Sequence, residues 1–167
     1  GADYERIARQ LFPYAYRVSF CSGGEPLLYP RIRDALRLAA RYRLKTIMVS
    51  NGMLLGDEVC RWMTADRSLT SYLLSFDGST KASLERIRRG ANFEKIIANV
   101  TNLSRHKQDA KTPYPNLGLR YSVMKSNAEE LPGICALAKS MGVDRVDVSL
   151  VNFANEMTPD DSLFFHQ

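Results

Sequence analysis

The 167-residue chain is 45% hydrophobic and 25% charged with a formal charge of +5, values that fit one globular domain, residues 1–167, with a core of its own. Its longest apolar runs, residues 46–49 and 72–76, are of strand length and far short of the roughly 20 residues that cross a bilayer, so neither a membrane span nor a secretory leader is predicted. The cationic excess is small and scattered, which gives no specific nucleic-acid signal.

The three cysteines, Cys21, Cys60 and Cys135, lie far apart, form neither a disulfide framework nor a C-x-x-C metal pattern, and suit a reducing cytoplasm. The chain opens Gly1-Ala2-Asp3 without an initiator methionine, which is read as a start left by removal of upstream sequence.

In chain order, residues 16–21 read as a short buried strand that runs into Ser22-Gly23-Gly24-Glu25-Pro26, a loop that must leave regular structure. Pro30 suits a first helical position, and Ile32, Ala35, Leu36, Ala39 and Ala40 recur at helical spacing. Residues 46–49 are a second strand, broken by Ser50-Asn51-Gly52, and Asp57 is expected to cap a helix carrying Val59, Cys60, Trp62 and Met63. Residues 72–76 are a third, followed by the Asp77-Gly78 turn and a helix capped by Ser79 with Leu84 and Ile87 inside.

A further helix opens near Asn92, with Ile96, Ile97, Val100 and Leu103 on one face. Residues 105–115, polar with two prolines, read as a surface loop. Residues 117–124 alternate like a strand, and Ser126-Asn127-Ala128-Glu129 has the form of a capping box before a helix with Leu131, Ile134, Leu137 and Ala138. Residues 145–151 close the series as a fifth strand, and Thr158-Pro159-Asp160-Asp161 as a helix start. Alternating strands and helices imply an α/β fold with parallel strands, which is either a doubly wound sheet or an arc of a (β/α) barrel.

In both architectures ligands gather where the strands' carboxyl ends meet the following loops. Gly23 and Gly24 let backbone amides and carbonyls approach a ligand, and Pro26 stiffens the turn; as bare glycines they read equally well as a tight βα turn. Glu25 is a loop carboxylate. Ser75 and Asp77 flank Phe76 and, on a continuing strand, point to one side, where a hydroxyl and a carboxylate can bond a ribose diol. Asp77 before Gly78 and Asn51 before Gly52 are also ordinary turn formers. Arg88 and Arg89 can hold a carboxylate, with an exposed pair to Glu85 as the plainer reading for at least one of them. His106 and His166 have no metal-ligand neighbour at useful spacing, and the phosphate-loop and dinucleotide fingerprints are absent.

Four segments in order resemble the radical S-adenosylmethionine (SAM) superfamily. Ser19 through Leu28 is similar to its G-G-E-P loop, Val49-Ser50-Asn51-Gly52-Met53-Leu54-Leu55 to its T-N-G-x-L-L strand end, Leu74-Ser75-Phe76-Asp77-Gly78 to its S-x-D-G, and Ile87 through Lys95 to the I-R-G-x-G-x-F-x-x-V run. The resemblance implies a truncated, partial (β/α)6 TIM-like barrel of about five βα units.

By the same resemblance the Gly23-Gly24-Glu25 backbone, with Pro26, binds the SAM amino group, Ser75 with Asp77 as a second candidate the ribose, Arg88 the methionine carboxylate, and Leu150 or Val151 the adenine, with Asn51 lining the pocket. The family holds a [4Fe–4S] cluster on a C-x-x-x-C-x-x-C motif and cleaves SAM to a 5′-deoxyadenosyl radical that abstracts hydrogen from substrate. This sequence lacks that motif, which the resemblance places upstream of G-G-E-P, so the chain is expected to be the SAM-binding part of a larger enzyme and inactive alone.

The alternatives are a degenerate, cluster-less barrel that works as a binding or scaffold module, and an unrelated α/β enzyme for a phosphorylated metabolite. A barrel lacking its first unit leaves the strand ending at Cys21 as an open edge available for self-association. Substrate class, peptide or small molecule, is not set by these motifs.

Overall fold

Leu117, Leu119, Tyr121 and Val123 fall on one side of an extended chain, because successive strand side chains point to opposite faces, and all four are buried. The same phase holds for Met48 and Ser50, and for Tyr72 and Leu74. In the computed structural model, which describes residues 2–20 and 23–150, these segments form strands β1 (Arg17–Phe20), β2 (Lys45–Ser50), β3 (Ser71–Ser75), β4 (Asn116–Val123) and β5 (Arg145–Leu150). They make one sheet in the order β1-β2-β3-β4-β5 with every pair parallel. The helices are α1 (Ala2–Leu11), α2 (Ile32–Arg41), α3 (Asp57–Asp66), α4 (Lys81–Ile87), α5 (Phe93–Asp109) and α6 (Leu131–Ser140).

Sequential strand order decides between the two architectures the sequence left open. A doubly wound sheet must reverse its strand order to place helices on both faces. Here each strand lies beside its predecessor, and right-handed crossovers put every helix on the same side. The core confirms it: Leu36 of α2, Cys60 and Met63 of α3, Leu84 of α4, Ile96, Val100 and Leu103 of α5 and Ile134 of α6 all pack with the Met48, Tyr72, Leu74, Leu119 and Tyr121 face. The architecture is an arc of a parallel (β/α) barrel. Among the described residues the opposite face is free of helices, and it carries Ser75, Arg120 and Asp147 in one registered row. Among the described residues β1 pairs only with β2, so its other edge is open.

Several local expectations are corrected. Residues 105–109 belong to α5 rather than to a loop, because Lys107, the residue that makes this turn look solvated, is buried in an ion pair with Asp144. The helix predicted to start at Ser79 is capped by Thr80, in a reciprocal box with Ser83, while Ser79 donates through its hydroxyl and its backbone N–H to Glu130. Gly56, not Asp57, occupies the cap of α3, and α2 begins at Ile32, beyond Pro30. Ser126 to Glu129 forms no capping box: a 3-10 turn over Ala128–Glu130 precedes α6, and Asn127 spends its side chain on β-strand ends instead. Helix α1 was not anticipated. It and the following turn close a small separate core in which Ala8 and Phe12 meet Ala39 and Leu44, with Phe12 stacked edge-on against Tyr4 and Tyr42.

Helices α2 and α3 are joined by Asp66, which is nearly buried and receives two bonds each from Arg33, at 2.7 and 3.0 Å, and Arg37, at 2.8 and 2.9 Å. The guanidinium bond from Arg33 is the main cause that holds the Asp66 carboxyl at about 2. A carboxyl depressed in the folded chain stabilises it above the unfolded value of about 4, and that contribution fades as pH falls toward 2. Asp66→Asn is expected to lower stability by about 1–2 kcal/mol at pH 7. In urea unfolding the gap between variant and wild type should close between pH about 4 and about 2; a gap unchanged there would mean the ion pairs are not its source.

The turn after β2 depends on Gly52. Its φ is +77°, and a Cβ on it would lie 2.7 Å from Leu74 Cδ1 and 3.1 Å from Ile96 Cγ2, both in fully packed side chains. Left-handed strain and overpacking act together, so Gly52→Ala is expected to cost about 2–3 kcal/mol, read as a lowered urea midpoint with unchanged slope.

Candidate functional site

The loop after β1 turns at two glycines, Gly23 with φ +65° and Gly24 with φ +148°, conformations that residues with a Cβ rarely adopt. Among the described residues, chain neighbours aside, no atom lies within 4 Å of where either Cβ would stand, so the backbone here is not packed against them. A depression of about 310 Å³ lies against this turn, lined by Ser19, Phe20, Gly23, Gly24, Glu25 and Pro26. Ser75 and Arg88 do not line it.

Glu25 fixes the loop to the next strand. Its Oε1 accepts from Ser50 Oγ at 2.9 Å and from Leu27 N at 3.1 Å, and its Oε2 accepts from Asn51 N at 2.8 Å. A carboxylate bonded by three donors leaves little for a ligand, so this side chain acts as a staple between two strand ends. Asn51 in turn accepts from Met53 N through its side-chain oxygen at 2.9 Å, an Asx turn that shapes the chain around Gly52. Asn99 closes the same turn from α5 by donating to Gly52 O.

The β3 end is organised differently. Ser75 is half-buried on the helix-free face, and its hydroxyl has no partner among the described residues. Asp77 is buried: Oδ1 accepts from Ser122 N at 2.7 Å and Oδ2 pairs with Arg88 at 2.6 Å. Arg88 therefore pairs with Asp77 and not with Glu85, which instead accepts from Phe93 N. With one Nη held, the Arg88 Nε is buried and lacks a hydrogen-bond partner among the described residues. A buried guanidinium donor left unsatisfied is costly unless an acceptor comes from outside the protein.

Two further residues build this end, and sequence reasoning missed both. Asn127, almost wholly buried, donates to Asp77 O at 2.9 Å and Ser122 O at 3.0 Å and accepts from Met124 N, while Tyr121 donates its hydroxyl to Asn127 O. Glu130 accepts from Ser79 N, Ser79 Oγ and Ser83 Oγ at 2.6 to 2.9 Å. Burial alone would raise its carboxyl, but the hydroxyl and amide donors, Ser83 foremost, outweigh it and hold the group below the usual carboxylate range. Leu150 ends β5 half-exposed, and Val151 lies outside the described residues.

Among the described residues the donor set does not fit an iron–sulfur cluster. Cys60 is buried between α3 and the sheet and its thiol points at Leu55 O, with burial pushing it up to about 11; Cys135 is exposed on α6. Among the described residues no three Cys, His, Asp or Glu side chains converge on a metal position. Nor is any described helix long and apolar enough to cross a membrane.

Comparison with known proteins bears on the fold and the family. The chain is 28% identical over 88% of its length to the tungsten-containing aldehyde ferredoxin oxidoreductase cofactor-modifying protein of Pyrococcus furiosus, and 29% identical over 77% to the PqqA peptide cyclase of Gluconobacter oxydans. These alignments take up 42% and 34% of the relatives, so the chain spans well under half of their length. Streptococcus suis SuiB, in its structure bound to S-adenosylmethionine, superposes with a TM-score of 0.74 over 92% of this chain and 34% of SuiB, at 18% identity, a likeness of fold. The family model for the radical SAM superfamily matches residues 2–117, well over half of the sequence, and the chain therefore belongs to the radical SAM superfamily.

Proposed function

We propose that this chain is the SAM-binding part of a radical SAM enzyme. The observation that carries the reading is Arg88: a half-buried guanidinium aimed by Asp77, with its Nε unpartnered. That arrangement suits the methionine carboxylate. The open backbone of Gly23 and Gly24, held to β2 by Glu25, suits the amino group, and the free hydroxyl of Ser75 suits the ribose. Asn51 lines the same strand ends, and Leu150, with Val151 beyond it, is the candidate adenine wall. Asp77 has both oxygens engaged and is assigned to positioning Arg88 rather than to the ribose.

SAM supplies the family's radical chemistry when bound. What these residues do is bind and orient: the loop after β1, the end of β3 and the turn after α4 present polar groups around a rigid parallel sheet, so the ligand's three polar ends are read by three separate segments of the chain. No reductive step is assigned to this chain, since the C-x-x-x-C-x-x-C motif that holds the family's cluster does not occur in its 167 residues. The [4Fe–4S] cluster, the substrate and the reaction belong to the whole enzyme. The relatives' names place a peptide among the substrates of such enzymes. A peptide or small molecule is therefore the proposed substrate range.

Isothermal titration with SAM and with decarboxylated SAM tests the site without any turnover. Wild type should favour SAM by about tenfold, the worth of one charge-assisted bond. Arg88→Gln should erase that preference while leaving decarboxylated SAM nearly unchanged. Glu25→Gln, which frees the glycine loop, should weaken both ligands alike, again by about tenfold. Equal affinity of wild type for the two ligands would remove Arg88 from the carboxylate site.

A further inference from the structure

The helix-free face carries an arrangement that the cofactor reading does not use. Along the registered rows Leu73, Gly118 and Arg145 lie side by side, and the next row toward the strands' carboxyl ends holds Ser75, Arg120 and Asp147. Gly118 is the low point of this wall. A Cβ there would stand 2.6 Å from Leu73 Cδ2 and 3.4 Å from Arg145 Cζ, so the missing side chain is the space into which both neighbours lean.

Charge on the wall is unbalanced. Arg145 Nε donates to both carboxylate oxygens of Asp147, at 3.0 and 3.3 Å, which neutralises that pair and fixes the arginine over Gly118. Arg120 is exposed on the same face and has no ion-pair or side-chain hydrogen-bond partner among the described residues. Of the other carboxylates at this end of the sheet, Glu25 is engaged by the β2 end, Asp77 by Arg88 and Glu130 by Ser79 and Ser83, while Glu129 is exposed on the turn before α6 and outside the two rows. Two arginines less one aspartate leave the two rows with a single positive charge, at Arg120.

We propose that this wall recognises one carboxylate of the substrate, with Arg120 as the ion-pairing group and the Arg145–Asp147 pair as its fixed neighbour. The proposal rests on the SAM reading in one respect, since that reading makes this face the side on which substrate meets the cofactor. A carboxylate rather than a phosphate is indicated by the count: one uncompensated guanidinium matches a monoanion, and its planar fork matches two carboxylate oxygens. Arg120 is a specificity-determining residue here, set one strand over from Ser75 in the same row and therefore beside the proposed ribose position.

The test uses the intact protein and three probes, N-acetyl-L-glutamate α-methylamide, its neutral glutamine counterpart and inorganic phosphate, titrated while the arginine Nε–H signals are followed by NMR. The glutamate probe is expected to bind about fivefold tighter than the glutamine probe, the upper range for a solvent-exposed ion pair, and to shift the Arg120 signal. Arg120→Gln should bring that ratio to about one, Arg89→Gln should keep it, and Arg120→Lys, which keeps the charge but not the fork, should lower it to about twofold, with SAM affinity unchanged in all three.

Equal binding of the glutamate and glutamine probes by wild type, or a preference that survives Arg120→Gln, overturns the proposal. So does phosphate shifting the Arg120 signal at the same concentration as the glutamate probe. A loss of SAM affinity in Arg120→Gln likewise overturns it, by moving the residue into the cofactor site. Should Arg120→Gln fail to fold, the wild-type Arg120 signal and the Arg120→Lys titration decide alone. If wild type keeps the glutamate preference but does not bind SAM, the carboxylate wall stands and the cofactor reading falls.

Discussion

Every feature of the site follows from the placement of each parallel strand beside the one that precedes it in the chain. Parallel neighbours need a crossover, and a right-handed crossover repeated without reversal stacks all helices on one face. That face takes the large apolar residues, and burying side chains such as Leu36, Met63, Leu74 and Tyr121 contributes about 1.5–3 kcal/mol each before entropy is subtracted. The other face carries no described helix and mixes Ile47, Val49 and Leu73 with Ser75, Arg120 and Asp147, and the βα loops all emerge at the same end. Site and core are thus two sides of one sheet, separated by the two-residue period of a strand.

Carboxylates then do most of the local positioning. Glu25, Asp66, Asp77 and Glu130 each gather donors from elements distant in sequence, and three of them act within a turn of the strand ends. A carboxylate can accept several bonds at once, so one side chain fixes two loops where a neutral amide would fix one. The consequence is electrostatic as well as geometric. With these acids occupied internally and Arg145 paired with Asp147, Arg120 on the open face keeps its charge for something outside the fold.

The strands were legible because their signal is local: β-branched and apolar runs of the right length, broken by Gly, Asn and Asp. The strand-end motifs were legible because four of them occur in order. What failed was whatever depended on a distant partner. Lys107 looks like loop sequence until Asp144 is placed beside it. Asn127 looks like a cap until the ends of β3 and β4 converge on its amide. Glu130 gives no signal in its own neighbourhood for the serines it binds. Arg120 did carry a trace, since it falls in the opposite phase from Leu119 and Tyr121, but an alternating strand alone does not say that the polar phase faces a ligand. Helix α1 carries no motif and joins the fold through Tyr4, Ala8 and the adjoining Phe12, which composition does not reveal.

That small core has a consequence of its own. Ala8 and Phe12 pack on Ala39 and Leu44 apart from the main cluster, so α1 is tied to the rest by far less apolar surface than any central element. Local opening free energies follow such contact, and the first helix can detach while the sheet and the strand-end loops stay formed. In amide hydrogen exchange the chain would then show two protection classes, with the boundary running between α1 and β2.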